Sequence, residues 1–278
     1  MNQENNDLKI GKIDIKKVFY GKNPTLARIL PNFFFNYLKK IVHEDFINGF
    51  IEKHGDKIGL DFARAGIKEF NVSSELKGKE NIPLDKKLII VSNHPLGGFD
   101  ALLLLSHLEE YFPKVKFLVN DILMNVKNLK PLFIPINKHG GQSKESVIQI
   151  EEAYESDMQV ATFPAGYVSR RKKGKIEDPE WQKSFIIKAI KYKRDVLPVF
   201  IGGRNTNFFY NLSNFRKFFG IKLNLEMLYL VDETYKHRNK HITITIGNPI
   251  PYSKFDKSKK PIEWAQYVKS IAYELPKV

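Results

Sequence analysis

The sequence predicts an α/β fold, a mixed and mostly parallel sheet flanked by helices and preceded by an N-terminal amphipathic helical extension. Short apolar runs typical of buried strands alternate with longer helical patterns along most of the 278 residues. A chain of this length can bury a large core without disulfides, and it contains no cysteine. No linker rich in Pro, Gly or Ser divides the alternating part into two folding units.

Residues 1–60 are predicted to form a helical region that precedes an α/β domain of residues 61–278. From Leu26 to Ile51 the apolar residues recur at helical spacing, with a basic opposite face. Pro31 is expected in the first turn of a helix or between two helices. Two interpretations are open: the stripe covers the core of its own domain, or it lies in a membrane interface and faces anionic headgroups.

The elements of the α/β part follow from apolar patterning. Strands are predicted at residues 67–72, 88–92, 115–119, 132–136, 159–163, 196–201 and 242–246. Helices are predicted at residues 101–111, 144–154, 181–192 and 262–275. Strands separated by helices indicate a sheet that is covered on both faces.

The balance of charge is strongly basic and bears on the partners. Lys and Arg number 45 against 31 Asp and Glu, a net charge of +14. This excess is compatible with nucleic acid, anionic lipid or acidic small molecules. No apolar run reaches the roughly 20 residues that span a bilayer, and the first nine residues lack the pattern of a secretory signal. We therefore expect a cytoplasmic protein.

The segment of residues 91–100 is the most informative about chemistry. A strand delivers His94 into a turn that contains Gly97 and Gly98, and Asp100 follows at the start of a helix. A carboxylate bent back onto one imidazole nitrogen fixes the tautomer and leaves the other nitrogen free to take a proton from a hydroxyl. Without a protein nucleophile, such a pair suits a transfer in which the acceptor itself attacks. The competing interpretation is a packed, hydrogen-bonded histidine near a helix cap.

The block from Asn93 to Asp100 resembles the Asn-His-x4-Asp pattern of the glycerolipid acyltransferases, the lysophosphatidate acyltransferase superfamily. Here five residues separate His94 from Asp100. That spacing resembles a bacterial branch, often labelled haemolysin-like, whose members acylate hydroxyls of aminolipids such as lyso-ornithine or lyso-glycine lipids. Three further blocks follow in the family's order, at residues 131–137, 163–170 and 196–199. The resemblance implies the fold of the glycerol-phosphate acyltransferases and a bacterial enzyme of lipid biosynthesis.

The resemblance also implies roles for individual residues. His94 is the general base on an acceptor hydroxyl, which attacks the thioester of an acyl carrier protein or coenzyme A, and Asp100 orients His94. Substrate-binding roles are implied for Asn93, Gly97, Gly98, Asn137, Lys138, Phe163, Pro164, Gly166, Ser169, Arg170 and Arg171. Backbone N–H groups of the glycine turns are candidates for stabilising charge on the thioester oxygen. No metal and no cofactor beyond the donor substrate are implied.

Two positions depart from the family pattern and bear on the acceptor. Asn137 stands where the second block normally ends in arginine, and Ala165 stands where the third block carries glutamate. A member that binds glycerol phosphate is expected to use both charged residues, so the preferred acceptor is a lyso-aminolipid with a free hydroxyl. A 1-acylglycerol-3-phosphate acyltransferase is the alternative, because Lys138 or Arg171 can contact a phosphate.

Basic residues cluster after the third block and are expected to act as a group. They are Arg170, Arg171, Lys172, Lys173, Lys175, Lys183, Lys188, Lys191, Lys193 and Arg194. Arg170 is a candidate for gripping a carboxylate, phosphate or headgroup. The others suit an acidic carrier protein, coenzyme A phosphates or the inner face of an anionic membrane, and the competing interpretation is a solvated face.

Two other classes of function remain open at the level of sequence. If water is the acceptor, the same His94 and Asp100 hydrolyse the thioester and the chain is a thioesterase. Without catalysis, the chain is a basic protein that binds membrane or nucleic acid. Aromatic residues are not interleaved with the densest charge, which disfavours nucleic acid as a partner.

Overall fold

The computed structural model describes residues 11–22, 24–136, 144–222 and 224–277. Its helices are α1 (Ile15–Lys22), α2 (Pro24–Ile29), α3 (Asn32–Ile41), α4 (Glu44–His54), α5 (Leu60–Glu69), α6 (Gly98–Leu108), α7 (Lys144–Glu155), α8 (Ser184–Tyr192), α9 (Asn207–Phe218), α10 (Leu230–Lys236) and α11 (Pro261–Glu274). Its strands are β1 (Ser73–Lys77), β2 (Leu88–Ser92), β3 (Val115–Asn120), β4 (Phe133–Ile136), β5 (Gln159–Thr162), β6 (Arg170–Lys172), β7 (Lys175–Glu177), β8 (Asp195–Ile201) and β9 (His241–Ile246).

Seven of these strands form one sheet, in the order β1-β9-β8-β2-β5-β3-β4. Strands β8, β2, β5, β3 and β4 run parallel, whereas β9 is antiparallel to β8 and β1 is parallel to β9. Ile90 of β2 lies opposite Ala161 of β5 and Leu197 of β8. The α/β class with a mixed, mostly parallel sheet is therefore confirmed, and β2 lies inside its parallel part.

Alternate side chains of β2 enter two separate cores, one on each face of the sheet. Leu88 and Ile90 pack in the core beneath α5 and α6, and Ile89 and Val91 pack in the core beneath α7, α8 and α11. All four side chains are completely buried. Because successive side chains of a strand point to opposite faces, a strand covered on both sides is a continuous apolar run in sequence.

The apolar stripe of residues 26–51 is divided into three helices. Pro31 lies between α2 and α3 with extended backbone, φ −73° and ψ 157°, in one of the two positions expected for it. His43 lies between α3 and α4 in the left-handed region, with φ 50°. No helix within the described ranges is long and apolar enough to cross a bilayer.

The N-terminal helices pack against the α/β domain. The ring of Phe46 in α4 meets Phe70 and Tyr235 edge-on, with centroids 5.0 and 5.1 Å away. Nε2 of His43 lies 2.8 Å from a carboxylate oxygen of Asp232 in α10. These contacts support the interpretation in which the buried side of the stripe covers its own domain.

The strand predicted at residues 67–72 is wrong. Ile67 belongs to the last turn of α5, and Asn71 leaves the helix in the left-handed region with φ 49°. The strand that follows, β1, pairs with β9 at the edge of the sheet and carries a largely polar sequence. The apolar residues before it therefore belong to a helix end and a turn.

Arg194 differs from the other members of the basic cluster because it is completely buried, just before β8. Its guanidinium donates hydrogen bonds to the main-chain carbonyls of Leu88, Ala153, Tyr154, Met158 and Ser156. These carbonyls belong to the amino-terminal end of β2 and to the segment from α7 to β5. Arg194 therefore joins the chain segments at the amino-terminal ends of the parallel strands. Its guanidinium is not available to an anionic partner.

Replacing Arg194 with methionine is expected to lower the free energy of unfolding by about 3–5 kcal/mol, because five carbonyls lose a charged donor in a buried setting. Calorimetric unfolding measures the change. Lys175→Met removes an exposed cation of the same cluster and serves as the matched control, expected within about 0.5 kcal/mol of the parent. Equal small effects of the two substitutions would contradict the structural role.

Candidate active site

The candidate active site lies at the carboxyl ends of β2 and β5, which are neighbours in the parallel part of the sheet. His94 follows the end of β2, and Phe163 follows the end of β5. Their rings stack with centroids 4.0 Å apart and planes 13° apart. Along the chain, the next strand of this sheet after β5 is β8, which lies on the opposite side of β2. Parallel α/β sheets gather ligands at the carboxyl edge, where the strand order changes direction in this way.

A glycine turn brings His94 and Asp100 into contact. Nδ1 of the imidazole lies 2.8 Å from Oδ2 of the carboxyl group. Gly97 adopts φ +93°, and a Cβ atom there would lie 3.0 Å from Cδ1 of Leu230. Only glycine combines this conformation with so close an approach of α10. The turn then leads into α6, whose first turn carries Asp100 back toward the histidine.

The carboxyl group of Asp100 is completely buried, and its oxygens differ in their surroundings. Oδ2 accepts from Nδ1 of His94 at 2.8 Å and from the N–H groups of Leu96 and Gly97 at 3.0 Å each. Oδ1 is buried without a hydrogen-bond partner among the described residues. Burial raises the pKa of the Asp100 carboxyl, and the hydrogen bond from His94 is the largest opposing influence.

The same contacts assign the tautomer of His94. A carboxylate only accepts hydrogen bonds, so Nδ1 of the imidazole carries the proton that it donates to Oδ2. Nε2 is then the basic nitrogen and can take a proton from a hydroxyl group. His94 and Asp100 therefore have the arrangement that the sequence predicts for them.

Asp178, a second buried carboxylate, holds the main chain of His94. Its Oδ1 accepts from the N–H of His94 at 3.2 Å and from Oγ of Ser169 at 2.6 Å, and its Oδ2 accepts from Nε1 of Trp181 at 2.9 Å. The N–H of Ser169 donates to the carbonyl of His94 at 2.8 Å. Burial raises the pKa of the Asp178 carboxyl against the hydrogen bond from Ser169.

The side chain of Asn93 joins two strand ends. Its amide nitrogen donates to the carbonyl of Ile201 at 2.8 Å, and its oxygen accepts from the N–H of Ile201 at 2.7 Å. Asn93 is buried, so both polar ends of its amide serve β8 rather than a substrate.

Arg170 is engaged inside the protein. One guanidinium nitrogen lies 3.4 Å from Oε1 of Glu226 and another donates to the carbonyl of Val168 at 2.7 Å, while the ring of Phe209 lies beneath the guanidinium group. Glu226 also binds Arg216 at 2.5 Å. Burial lowers the pKa of Arg170. In this arrangement Arg170 ties the β6–β7 hairpin to Glu226 rather than presenting its charge to a headgroup.

Arg171, the next residue of β6, also contacts α9. It donates to the side-chain oxygens of Asn207 at 2.5 Å and of Asn211 at 3.1 Å, and it lies over the ring of Tyr210. Lys188 and Lys191, also of the basic cluster, pair with Glu151.

The remaining predicted residues fall into three groups. Phe163, Pro164 and Gly166 belong to one turn after β5, in which the N–H of Gly166 donates to the carbonyl of Phe163 at 2.9 Å. Gly98 is the first residue of α6. Asn137 and Lys138 lie outside the described residues.

Replacing Asp178 with asparagine is expected to destabilise the site by about 1–3 kcal/mol. Both oxygens of Asp178 face N–H donors, so either orientation of the amide sets an NH₂ group against the N–H of His94 or Trp181. Thermal unfolding together with the rate of the reaction at His94 measures the effect. Asp85→Asn, at an exposed aspartate, is the control. Unchanged stability and rate in Asp178→Asn would show that this clamp is dispensable.

Comparison with known proteins agrees with this geometry. A family model described as acyltransferase matches residues 17–277. The chain therefore belongs to the acyltransferase family, and the resemblance to the glycerolipid acyltransferases is confirmed. The protein is an acyltransferase.

Particular relatives can also be named. The chain is 50% identical to a lyso-glycine lipid O-acyltransferase of Bacteroides thetaiotaomicron, over 95% of this chain and 97% of that protein. It is 47% identical to a lyso-glycine lipid O-acyltransferase of Phocaeicola vulgatus, over 97% of each. A solved structure of the 1-acyl-sn-glycerophosphate acyltransferase PlsC from Thermotoga maritima matches with a TM-score of 0.49 and 19% identity, over 93% of this chain and 88% of that chain.

Proposed function

We propose that this chain transfers a fatty acyl group from an acyl carrier protein or coenzyme A thioester to the free hydroxyl of a lyso-glycine lipid. The observation that carries the proposal is the contact of 2.8 Å between His94 and the buried Asp100, in a chain about half identical to two lyso-glycine lipid O-acyltransferases. The contact supplies a base, and the relatives supply the acceptor class.

The proposed reaction uses Nε2 of His94 as general base. Nε2 removes the proton of the acceptor hydroxyl as its oxygen attacks the thioester carbonyl. The tetrahedral intermediate collapses with cleavage of the carbon–sulfur bond, and the imidazolium returns its proton to the departing sulfur. The negative charge of Asp100 stabilises that imidazolium through Oδ2. The products are an ester and the free thiol of the carrier.

The charge that develops on the thioester oxygen needs hydrogen-bond donors. The N–H of Gly97 donates to Asp100, and that of Gly166 donates to Phe163, so neither supports this role in the described arrangement. The N–H of Gly98 opens α6, where the first N–H groups of a helix lack partners within the helix. We assign the oxyanion contact to Gly98 as part of the proposal.

The proposed acceptor agrees with the surroundings of Ala165. This alanine, in the position of the family's glutamate, is buried in the core that also contains Trp181. The buried methyl group of Ala165 cannot supply the carboxylate that the family's glutamate places near a glycerol phosphate. Together with Asn137 in the sequence, this favours a lyso-aminolipid over lysophosphatidate.

The partners and location form the last part of the proposal. The enzyme works as a peripheral protein at the cytoplasmic face of the inner membrane, where its lipid acceptor lies. The exposed lysines of the β6–β7 hairpin, Lys172, Lys173 and Lys175, suit an acidic carrier protein or the phosphates of coenzyme A. The helices of residues 1–60 serve as its membrane-proximal region.

Substitutions in the histidine–aspartate pair test the mechanism. His94→Ala is expected to lower the transfer rate by about 10²–10⁴-fold. Asp100→Asn is expected to cause a comparable loss, because an amide oxygen in the Oδ2 position keeps the accepted hydrogen bonds but lacks the negative charge. Thermal unfolding is measured alongside the rate, because the amide NH₂ in the Oδ1 position would be buried without an acceptor among the described residues, and the loss of rate is read in folded protein. Transfer at the parent rate by folded His94→Ala would refute the general-base assignment.

The acceptor is tested by a transfer assay with labelled acyl carrier protein and acyl-coenzyme A. Lyso-glycine lipid and lysophosphatidate are offered in parallel, and His94→Ala provides the blank. Product from the lyso-glycine lipid alone is expected. Product from lysophosphatidate would favour the phospholipid alternative, and a free fatty acid without esterified lipid would identify a thioesterase.

A further inference from the structure

Three phenyl rings at the end of α9 are largely exposed in the described part of the chain. Phe215, Phe218 and Phe219 are 56%, 84% and 60% exposed. They contact one another, with centroids 4.6 Å apart for Phe215 and Phe219 and 5.1 Å apart for Phe218 and Phe219. Single exposed apolar residues are common on proteins, whereas a contiguous group of large rings marks a surface that contacts something else.

The exposed apolar surface continues along α9. Phe208, Phe215 and Phe219 follow one another at intervals of seven and four residues, which places them on the same side of a helix. Phe208 is 48% exposed and packs edge-on against Tyr229, with centroids 4.9 Å apart. The surface thus passes from α9 to the short turn that precedes α10.

Tyr229 connects this surface with the N-terminal helices. Its hydroxyl lies 2.5 Å from that of Tyr37 in α3. One turn earlier, Phe33 is 74% exposed, and Leu228 beside Tyr229 is 50% exposed. Residues far apart in sequence therefore join in one surface. This aromatic face consists of Phe33, Tyr37, Phe208, Phe215, Phe218, Phe219, Leu228 and Tyr229.

The charge around the aromatic face is positive. Residues 204–222 include Arg204, Arg216, Lys217 and Lys222 and contain neither Asp nor Glu. Arg216 is buried against Glu226, whereas the other three cations are exposed. Partial burial of its ammonium group, together with the nearby Arg170 and Arg216, lowers the pKa of Lys217.

Aromatic rings with cations at their rim match one environment in particular. At the boundary between headgroups and acyl chains of an anionic bilayer, the rings enter the apolar layer and the cations meet the phosphates. A second copy of this chain matches less well, because two such faces would bring their exposed cations together.

We propose that the aromatic face docks this enzyme on an anionic lipid surface, with Phe218 and Phe219 inserted below the headgroups. The inference rests on the proposed function for its purpose, since a lipid acceptor has to reach His94. The face is suitably placed: α9 follows the carboxyl end of β8, and Leu230 after Tyr229 touches Gly97 of the catalytic turn. Docking therefore brings lipid to the edge of the sheet that carries His94.

Sedimentation with vesicles tests the docking. The parent is expected to bind vesicles of phosphatidylcholine mixed with phosphatidylglycerol more strongly than phosphatidylcholine alone. Phe218→Ser with Phe219→Ser is expected to reduce the binding by about tenfold or more, since two exposed phenyl groups are lost. Ile187→Ser with Ile190→Ser removes two exposed apolar side chains from α8 and should leave the binding unchanged.

A fluorescent variant locates the contact directly. The two tryptophans of the chain, Trp181 and Trp264, are 0% and 6% exposed, so Phe218→Trp adds an exposed indole to a buried background. Anionic vesicles are expected to shift its emission to the blue, and lipids brominated on the acyl chains are expected to quench it. An emission that does not respond to either would overturn the insertion of this residue.

Further outcomes separate the docking from the catalysis. Equal vesicle binding by the parent and the Phe218 and Phe219 double variant would overturn the proposal. The proposal would also be overturned if the parent were a dimer and the double variant a monomer that still bound vesicles as strongly as the parent. Acyl transfer to a detergent-dispersed acceptor should be unchanged in the double variant. If the parent lacks that transfer yet binds vesicles through these phenylalanines, the proposed function fails and the docking surface stands.

Discussion

The buried carboxylate of Asp100 organises the site. Its Oδ2 accepts the ring N–H of His94 and two main-chain N–H groups of the turn between them. The turn, the start of α6 and the orientation of the imidazole thus depend on one oxygen atom. Among the described residues Oδ1 has no hydrogen-bond partner, so burial of this carboxyl group costs stability. The same carboxyl group orients the imidazole of His94.

The main chain of His94 is also fixed by hydrogen bonds on both of its polar groups. Asp178 and Ser169 bind its N–H and its carbonyl from the turn and hairpin after β5, and the adjoining Asn93 is fastened to β8. The position of the imidazole is therefore set by the residues on either side of the β6–β7 hairpin and by β8. A base whose neighbours are fixed in this way needs little rearrangement when the acceptor hydroxyl arrives.

The sequence was sufficient for the parts of the molecule whose pattern is local. Strand β2 is apolar because it is buried on both faces, and the pairing of His94 with Asp100 spans only six positions. Asp178 could not be found in this way, because its partner lies 84 residues away and no local motif marks it. Arg170 similarly meets Glu226, which arrives from a distant turn. Helix α9 escaped prediction because its asparagines weaken the helical pattern and three of its phenylalanines are exposed.

The position of Arg194 has a consequence for altering this protein. Its hydrogen bonds join chain segments at the amino-terminal edge of the sheet, whereas His94 follows the carboxyl end of β2. The five residues of β2 separate the two edges by about 16 Å at the rise of a strand. Substitutions at such distances combine additively. Substitutions that change heat stability at the Arg194 edge are therefore expected to leave turnover at His94 unchanged, and substitutions around the glycine turn are expected to leave the Arg194 hydrogen bonds intact.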